Sequence, residues 1–101
     1  MSVTVAFGLF EWDKDKETVN LVRHGLDFYT ATLAFLDQKR IVAVDEQHSE
    51  IEPRHFCIGL AGNKIATVRF TKRGKRIRII GAGYWRKGRK LYEKEHSKKI
   101  R

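Results

Sequence analysis

The sequence predicts an α+β domain: an N-terminal helical hairpin packed on an antiparallel β-sheet, followed by a basic C-terminal helix. Three observations carry this expectation. Helix start and stop signals crowd residues 13–37. Apolar–polar alternation, broken by short Gly-containing turns, fills residues 41–80. Lys and Arg dominate residues 86–98. A chain of 101 residues supports one domain with one core, here taken as residues 1–101. Its 42% hydrophobic content fits a folded chain rather than a disordered one.

The elements follow in order. Leu9-Phe10-Glu11-Trp12 reads as a short first strand. Asp13 or Asp15 then caps a helix whose first turn is acidic and whose last turn holds Arg23 and His24, both favourable to the helix dipole. Val19 and Val22 supply its apolar spacing, and Gly25 its C-terminal stop. Asp27 caps a second helix with Phe28, Ala31, Thr32, Phe35 and Leu36 on one face, ending at Asp37-Gln38. Strands are expected at 41–44, 54–60, 65–71 and 76–80, with turns at 61–64 and 72–75. A polar loop from Asp45 to Pro53 carries Glu46, Glu50 and Glu52. Gly81-Ala82-Gly83 is expected to turn the chain sharply out of the last strand. Residues 86–97 form the basic helix, with Leu91 and Tyr92 as its apolar contact, and 98–101 fray.

Strand parity assigns the faces. Ala66, Val68 and Phe70 share one side with Ile77 and Ile79, which the helices cover. The other side keeps Arg69, Arg76 and Arg78, joined by His55.

Charge is unevenly placed on this frame. The formal net charge is +9. Residues 1–68 hold 7 Lys/Arg against 10 Asp/Glu, whereas residues 69–101 hold 14 against 2. A basic module on a mildly acidic body predicts a polyanionic partner, nucleic acid first. Other classes drop out. A single cysteine, Cys57, forbids an internal disulfide and suits a reducing compartment. No apolar run is long enough to span a membrane, and the first residues lack the basic region of a signal peptide. His55 and Cys57 stand two apart without a second ligand pair, so no metal site and no cofactor are expected.

Several motifs together resemble the BrnT toxin family. They are Phe10-Glu11-Trp12-Asp13, then Asn20, Arg23-His24-Gly25, Phe28, Ala31 and Phe35-Leu36-Asp37. His48-Ser49-Glu50 with Glu52, Arg54 and Ile58-Gly59 follows, then Arg73-Gly74 with Ile77-Arg78-Ile79-Ile80, and finally Tyr92-Glu93. The resemblance spans roughly residues 9–93. It implies a RelE-like fold and a bacterial, cytoplasmic type II toxin that cleaves RNA and stops translation. It also implies a cognate antitoxin of the ribbon–helix–helix type, with DNA contacted only through the toxin–antitoxin complex. The chain departs from the family pattern in two places. Lysine is common before the His-Gly pair, and Arg23 stands here. Serine-alanine-arginine is usual after the last strand, and Gly81-Ala82-Gly83 stands here.

Metal-free RNA cleavage needs a base for the 2′ proton, an acid for the leaving oxygen and cations for the phosphorane-like state. His48 or Glu52 is the expected proton-transfer group, beside Arg54. Glu52 and Arg54 would serve equally as a structural ion pair. Arg78 is the expected phosphate stabiliser, supported by Arg69 and Arg76. Arg23, His24, Arg73 and Arg86 complete the expected substrate contacts, with Tyr84 and Trp85 as stacking surfaces. His24 would otherwise bond its helix end, and Trp85 would otherwise anchor the last helix. The alternative function is a basic module of the same fold that grips RNA or antitoxin without cutting.

Overall fold

The computed structural model describes residues 2–48 and 51–97. It is an α+β fold with a six-stranded mixed sheet and three helices. In chain order the elements are β1 (Thr4–Phe7), β2 (Phe10–Asp13), α1 (Lys14–His24), α2 (Phe28–Ala31), β3 (Ile41–Val44), β4 (Arg54–Ala61), β5 (Lys64–Arg73), β6 (Arg76–Gly83) and α3 (Arg86–Ser97). The strand order is β1-β2-β6-β5-β4-β3.

The expected antiparallel sheet is corrected at one junction. β3-β4-β5-β6 is the predicted meander, but β2 lies parallel to β6, with Glu11 opposite Arg78. This pairing joins segments more than 60 residues apart, so no turn residue announces its direction. β1 was not expected as a strand. Gly8 (φ +60°) and Leu9 form a two-residue hairpin turn with glycine first, the preference of a type II′ turn. Leu9 is thereby a turn residue, and the second strand starts at Phe10.

α1 caps as expected: the Asp13 carboxylate accepts from the Asp15 and Lys16 amides, and Gly25 takes the left-handed conformation. Its attachment differs from expectation. Val19 and Val22 are exposed, at 48% and 82%, and the buried residues are Glu17 and Asn20. Asn20 bonds the Leu26 carbonyl and both backbone groups of Ala82 (2.8, 2.9 and 3.1 Å), stitching the helix to β6. Glu17 accepts from Trp12 Nε1 (3.1 Å) and the Phe28 amide (3.0 Å).

The second arm of the expected hairpin is shorter than a full helix. α2 is one turn capped by Asp27, and 3₁₀ turns continue it over Thr32–Leu36. In 3₁₀ geometry every third residue eclipses. Ala31 and Ala34 accordingly face the sheet with Phe28, and Leu36 rotates out to 73% exposure. The backbone there runs very close to β4. A Cβ on Gly59 would stand 2.5 Å from the Ala34 carbonyl oxygen, so only glycine fits. Cys57 faces the same carbonyl at 3.7 Å, and burial pushes its thiol up to about 12, so it stays protonated. Trp12, Phe28, Val68, Phe70 and Ile79 fill the core beneath this layer.

His55 belongs to this covered side. It lies opposite Phe70 in register and stacks on that ring at 5.4 Å. The expectation that it joins the arginine face is corrected.

β6 runs on through Gly81-Ala82-Gly83 rather than turning away. α3 then lies across the opposite face of the sheet. A Cβ on Gly88 would meet Thr67 Oγ1 at 1.9 Å, so this glycine lets the helix backbone rest on β5. The far end of α3 is tied to Asp37: the Tyr92 hydroxyl donates to its carboxylate at 2.6 Å, which also accepts from the Leu60 and Lys39 amides. His96 contacts the Lys39 carbonyl at 2.9 Å, so the helix is held through its last turn. Residues 98–101, expected to fray, lie outside the described residues.

The clamp has a pH signature. Burial works to raise the Asp37 carboxyl, but the bonds from Tyr92, Leu60 and Lys39 outweigh it and hold the group below its ordinary 3.8. A depressed carboxyl stabilises the fold fully above its unfolded value and loses that contribution as pH falls through the folded value. Tyr92→Phe is expected to lower Tm by several degrees at pH 7, equivalent to about 1 kcal/mol. The gap from wild type should narrow below pH ~4. Thermal melts of both proteins from pH 7 to pH 3 check this.

Candidate nucleic-acid interface

The side of the sheet away from α2 carries most of the strand arginines, arranged in rows by register. Arg54, Thr71, Arg78 and Glu11 are successive partners across β4, β5, β6 and β2. Phe56, Arg69 and Gly81 form the next row, and Ile58, Thr67 and Gly83 the one after. A bulge at Arg69/Phe70 leaves Ile80 as the extra residue beside Arg69. The face therefore grades from charged at one end to apolar and small under α3.

Carboxylates are interleaved with these cations. Arg78 donates to Glu11 at 2.7 Å, with both side chains under 20% exposed. Arg69 lies 3.6 Å from the buried Asp45, and Arg73 3.5 Å from Glu52. Asp45, Glu52 and Pro53 thus approach this face, since the Pro53 carbonyl also accepts from Thr71 Oγ1 (2.7 Å). Arg76 is used differently. It reaches the Gly8 and Phe10 carbonyls and sits 3.9 Å from Glu11, clamping the β1–β2 turn.

A cleft of about 370 Å³ opens where α1 overhangs the Arg69 row. Arg23, His24, Arg69 and Trp85 all line it, together with Asp13, Asp15 and Lys16. Four residues expected from sequence as substrate contacts are therefore neighbours. The His24 and Trp85 rings meet edge to face at 5.2 Å. The hydroxyl of Ser2 bonds Asp13 and holds its carboxyl below the usual range. Trp85 lies where a side chain at 83 would stand: a Cβ there would come within 2.5 Å of its ring. The departure at Gly81-Ala82-Gly83 thus does more than remove a hydroxyl and a guanidinium, because Gly83 admits the indole.

The remaining expected residues are spread out. Tyr84 packs on the core with Lys64 over its ring at 5.1 Å, apart from Trp85. Arg86 is exposed on the first turn of α3. His48 ends a short 3₁₀ turn, and its side chain lies outside the described residues, as do Ser49 and Glu50. Glu52 pairs with Arg73 at the rim. Glu11 and Asp45 were missed as members of this face. Glu11 was readable: it alternates with Phe10 and Trp12, which are core-facing, so parity turns it outward. Among the described residues, no three His, Cys, Asp or Glu side chains gather as a metal-ligand set, and no helix is long and apolar enough to cross a membrane.

An α+β domain with arginines in register on one sheet face, and a cationic cleft beside them, presents a surface whose charge favours polyanions. The particular kind follows from comparison with known families. The model described as ribonuclease toxin, BrnT, of type II toxin–antitoxin system matches residues 12–88. The chain belongs to the BrnT family, which implies endoribonuclease activity and an antitoxin partner. No individual curated protein matches the chain.

Proposed function

We propose that this chain is a metal-independent endoribonuclease toxin of RelE-like architecture that cuts RNA on the arginine-row face. The placement of Arg54 and Arg78 in one row and Arg69 in the next, with Arg69 also lining the cleft under α1, carries the reading. Guanidinium forks grip phosphate oxygens and keep their charge at any working pH. The scissile phosphate sits between Arg78 and Arg69, with Arg54 and Arg23 holding its neighbours. The 2′-oxygen forms the new bond to phosphorus and the bond to the 5′-oxygen breaks. His48 or Glu52 accepts the 2′ proton, and His24, which lines the cleft, returns a proton to the leaving oxygen. The products are a 2′,3′-cyclic phosphate and a 5′-hydroxyl end. Arg73, Arg76 and Arg86 extend the positive field, and Arg76 also holds the β1–β2 turn.

The toxin acts in the bacterial cytoplasm, is neutralised by a ribbon–helix–helix antitoxin, and meets DNA only through that complex. These assignments rest on the family resemblance.

Induction in bacteria is expected to arrest growth and create new 5′-hydroxyl RNA ends. Co-expression of the cognate ribbon–helix–helix protein should relieve the arrest. The purified protein should give the same ends in excess EDTA. Soluble, folded protein that yields no new ends would leave a binding module in place of an enzyme. Cleavage that EDTA abolishes would end the metal-free chemistry.

A further inference from the structure

On the other side of Trp85 from the cationic cleft lies a second groove, of about 380 Å³, between α3 and the sheet. Phe56, Ile58, Thr67, Trp85, Lys87 and Leu91 line it. The geometry points to this groove as a binding site for one unpaired nucleobase of the RNA, an inference that rests on the ribonuclease reading above.

Four observations favour a base as occupant. Two aromatic side chains, Phe56 and Trp85, stand in the walls, and bases stack on such surfaces whatever their identity. Phe56 is the register partner of Arg69, so a groove wall and a phosphate-gripping arginine are one strand spacing apart in the same row. Trp85 lines both the groove and the cleft, which makes the two compartments continuous across one ring. Among the described residues, Lys87 supplies the single charge lining the groove, suited to a strand carrying phosphates.

Short RNA oligonucleotides with 2′-O-methyl groups, which block the attacking oxygen, test the assignment by binding alone. One abasic position is moved along the strand. At one position its introduction is expected to weaken binding roughly tenfold, the value of one base on an aromatic surface. Trp12 is fully buried, so fluorescence quenching on binding reports Trp85. Trp85→Ala, and separately Ala43→Phe, which adds bulk to the exposed wall of the groove, should each erase that position dependence while the strand still binds. Equal binding of intact and abasic strands by the wild type, without quenching, overturns the groove and leaves the ribonuclease reading standing. So does an Ala43→Phe protein that escapes antitoxin while keeping the position dependence, which would give the groove to the protein partner. A wild type with no affinity for any strand, and no cleavage of unmodified RNA, overturns the ribonuclease reading itself.

Discussion

Arg78→Ala is expected to lower RNA cleavage by about two to three orders of magnitude, the effect of removing one preorganised charge-stabilising donor. The residue occupies the middle of the arginine-row face, between Thr71 and Glu11 in register. Its side chain is 18% exposed, so solvent only partly screens it. Removing it also deprives Glu11 of its 2.7 Å partner, leaving Arg76 at 3.9 Å. Some loss of stability is therefore expected, on the order of 1 kcal/mol. The two effects separate by measurement. Cleavage rate and Tm are taken on the same preparations of wild type, Arg78→Ala and Arg78→Lys. Lysine keeps the charge but loses the fork, so partial recovery of stability with little recovery of rate marks a phosphate contact. A rate that merely follows Tm across the three proteins would reduce Arg78 to an ion pair of the sheet.

Much of this face is legible in the sequence. Parity alone put Arg69 and Arg78 on one side of the sheet, because antiparallel neighbours keep their alternation. The capping residues Asp13, Gly25 and Asp27 were legible for the same reason: each satisfies a local demand of a helix end. What was hidden depended on long-range pairing or close approach. The parallel β2–β6 junction sets Glu11 against Arg78, and no local signal encodes it. The burial of Asp45 reflects its approach to Arg69 across the sheet face, not its own polarity. His55 was misplaced because its strand neighbours gave no reason to stack it on Phe70. Gly83 read as a turn residue because glycine's freedom is the usual reason for its presence. Here its missing Cβ is what counts, since the Trp85 ring occupies that space.

The attachment of α1 gives the other large effect. Glu17→Ala is expected to cost about 3–5 kcal/mol, because two buried N–H donors, Trp12 Nε1 and the Phe28 amide, lose their acceptor together. For a domain of this size, whose whole stability is ~5–15 kcal/mol, that corresponds to a fall in Tm of roughly 15–30 °C. Glu17→Gln should cost less, about 1–3 kcal/mol. Its amide oxygen can accept from one donor, but its NH₂ faces the other. Val22→Ala, in the same helix, should change stability by under about 0.5 kcal/mol, since that side chain is 82% exposed. Chemical denaturation of the four proteins decides between a helix held by its apolar residues and one held by Glu17 and Asn20. The first case predicts that the valine variant suffers most. The second also predicts a functional consequence. Arg23 and His24 ride on the last turn of α1 and reach the cleft only while the helix is pinned to Trp12, Phe28 and Ala82. Glu17→Gln, kept well below its Tm, should therefore weaken RNA binding even though Glu17 is itself buried away from solvent.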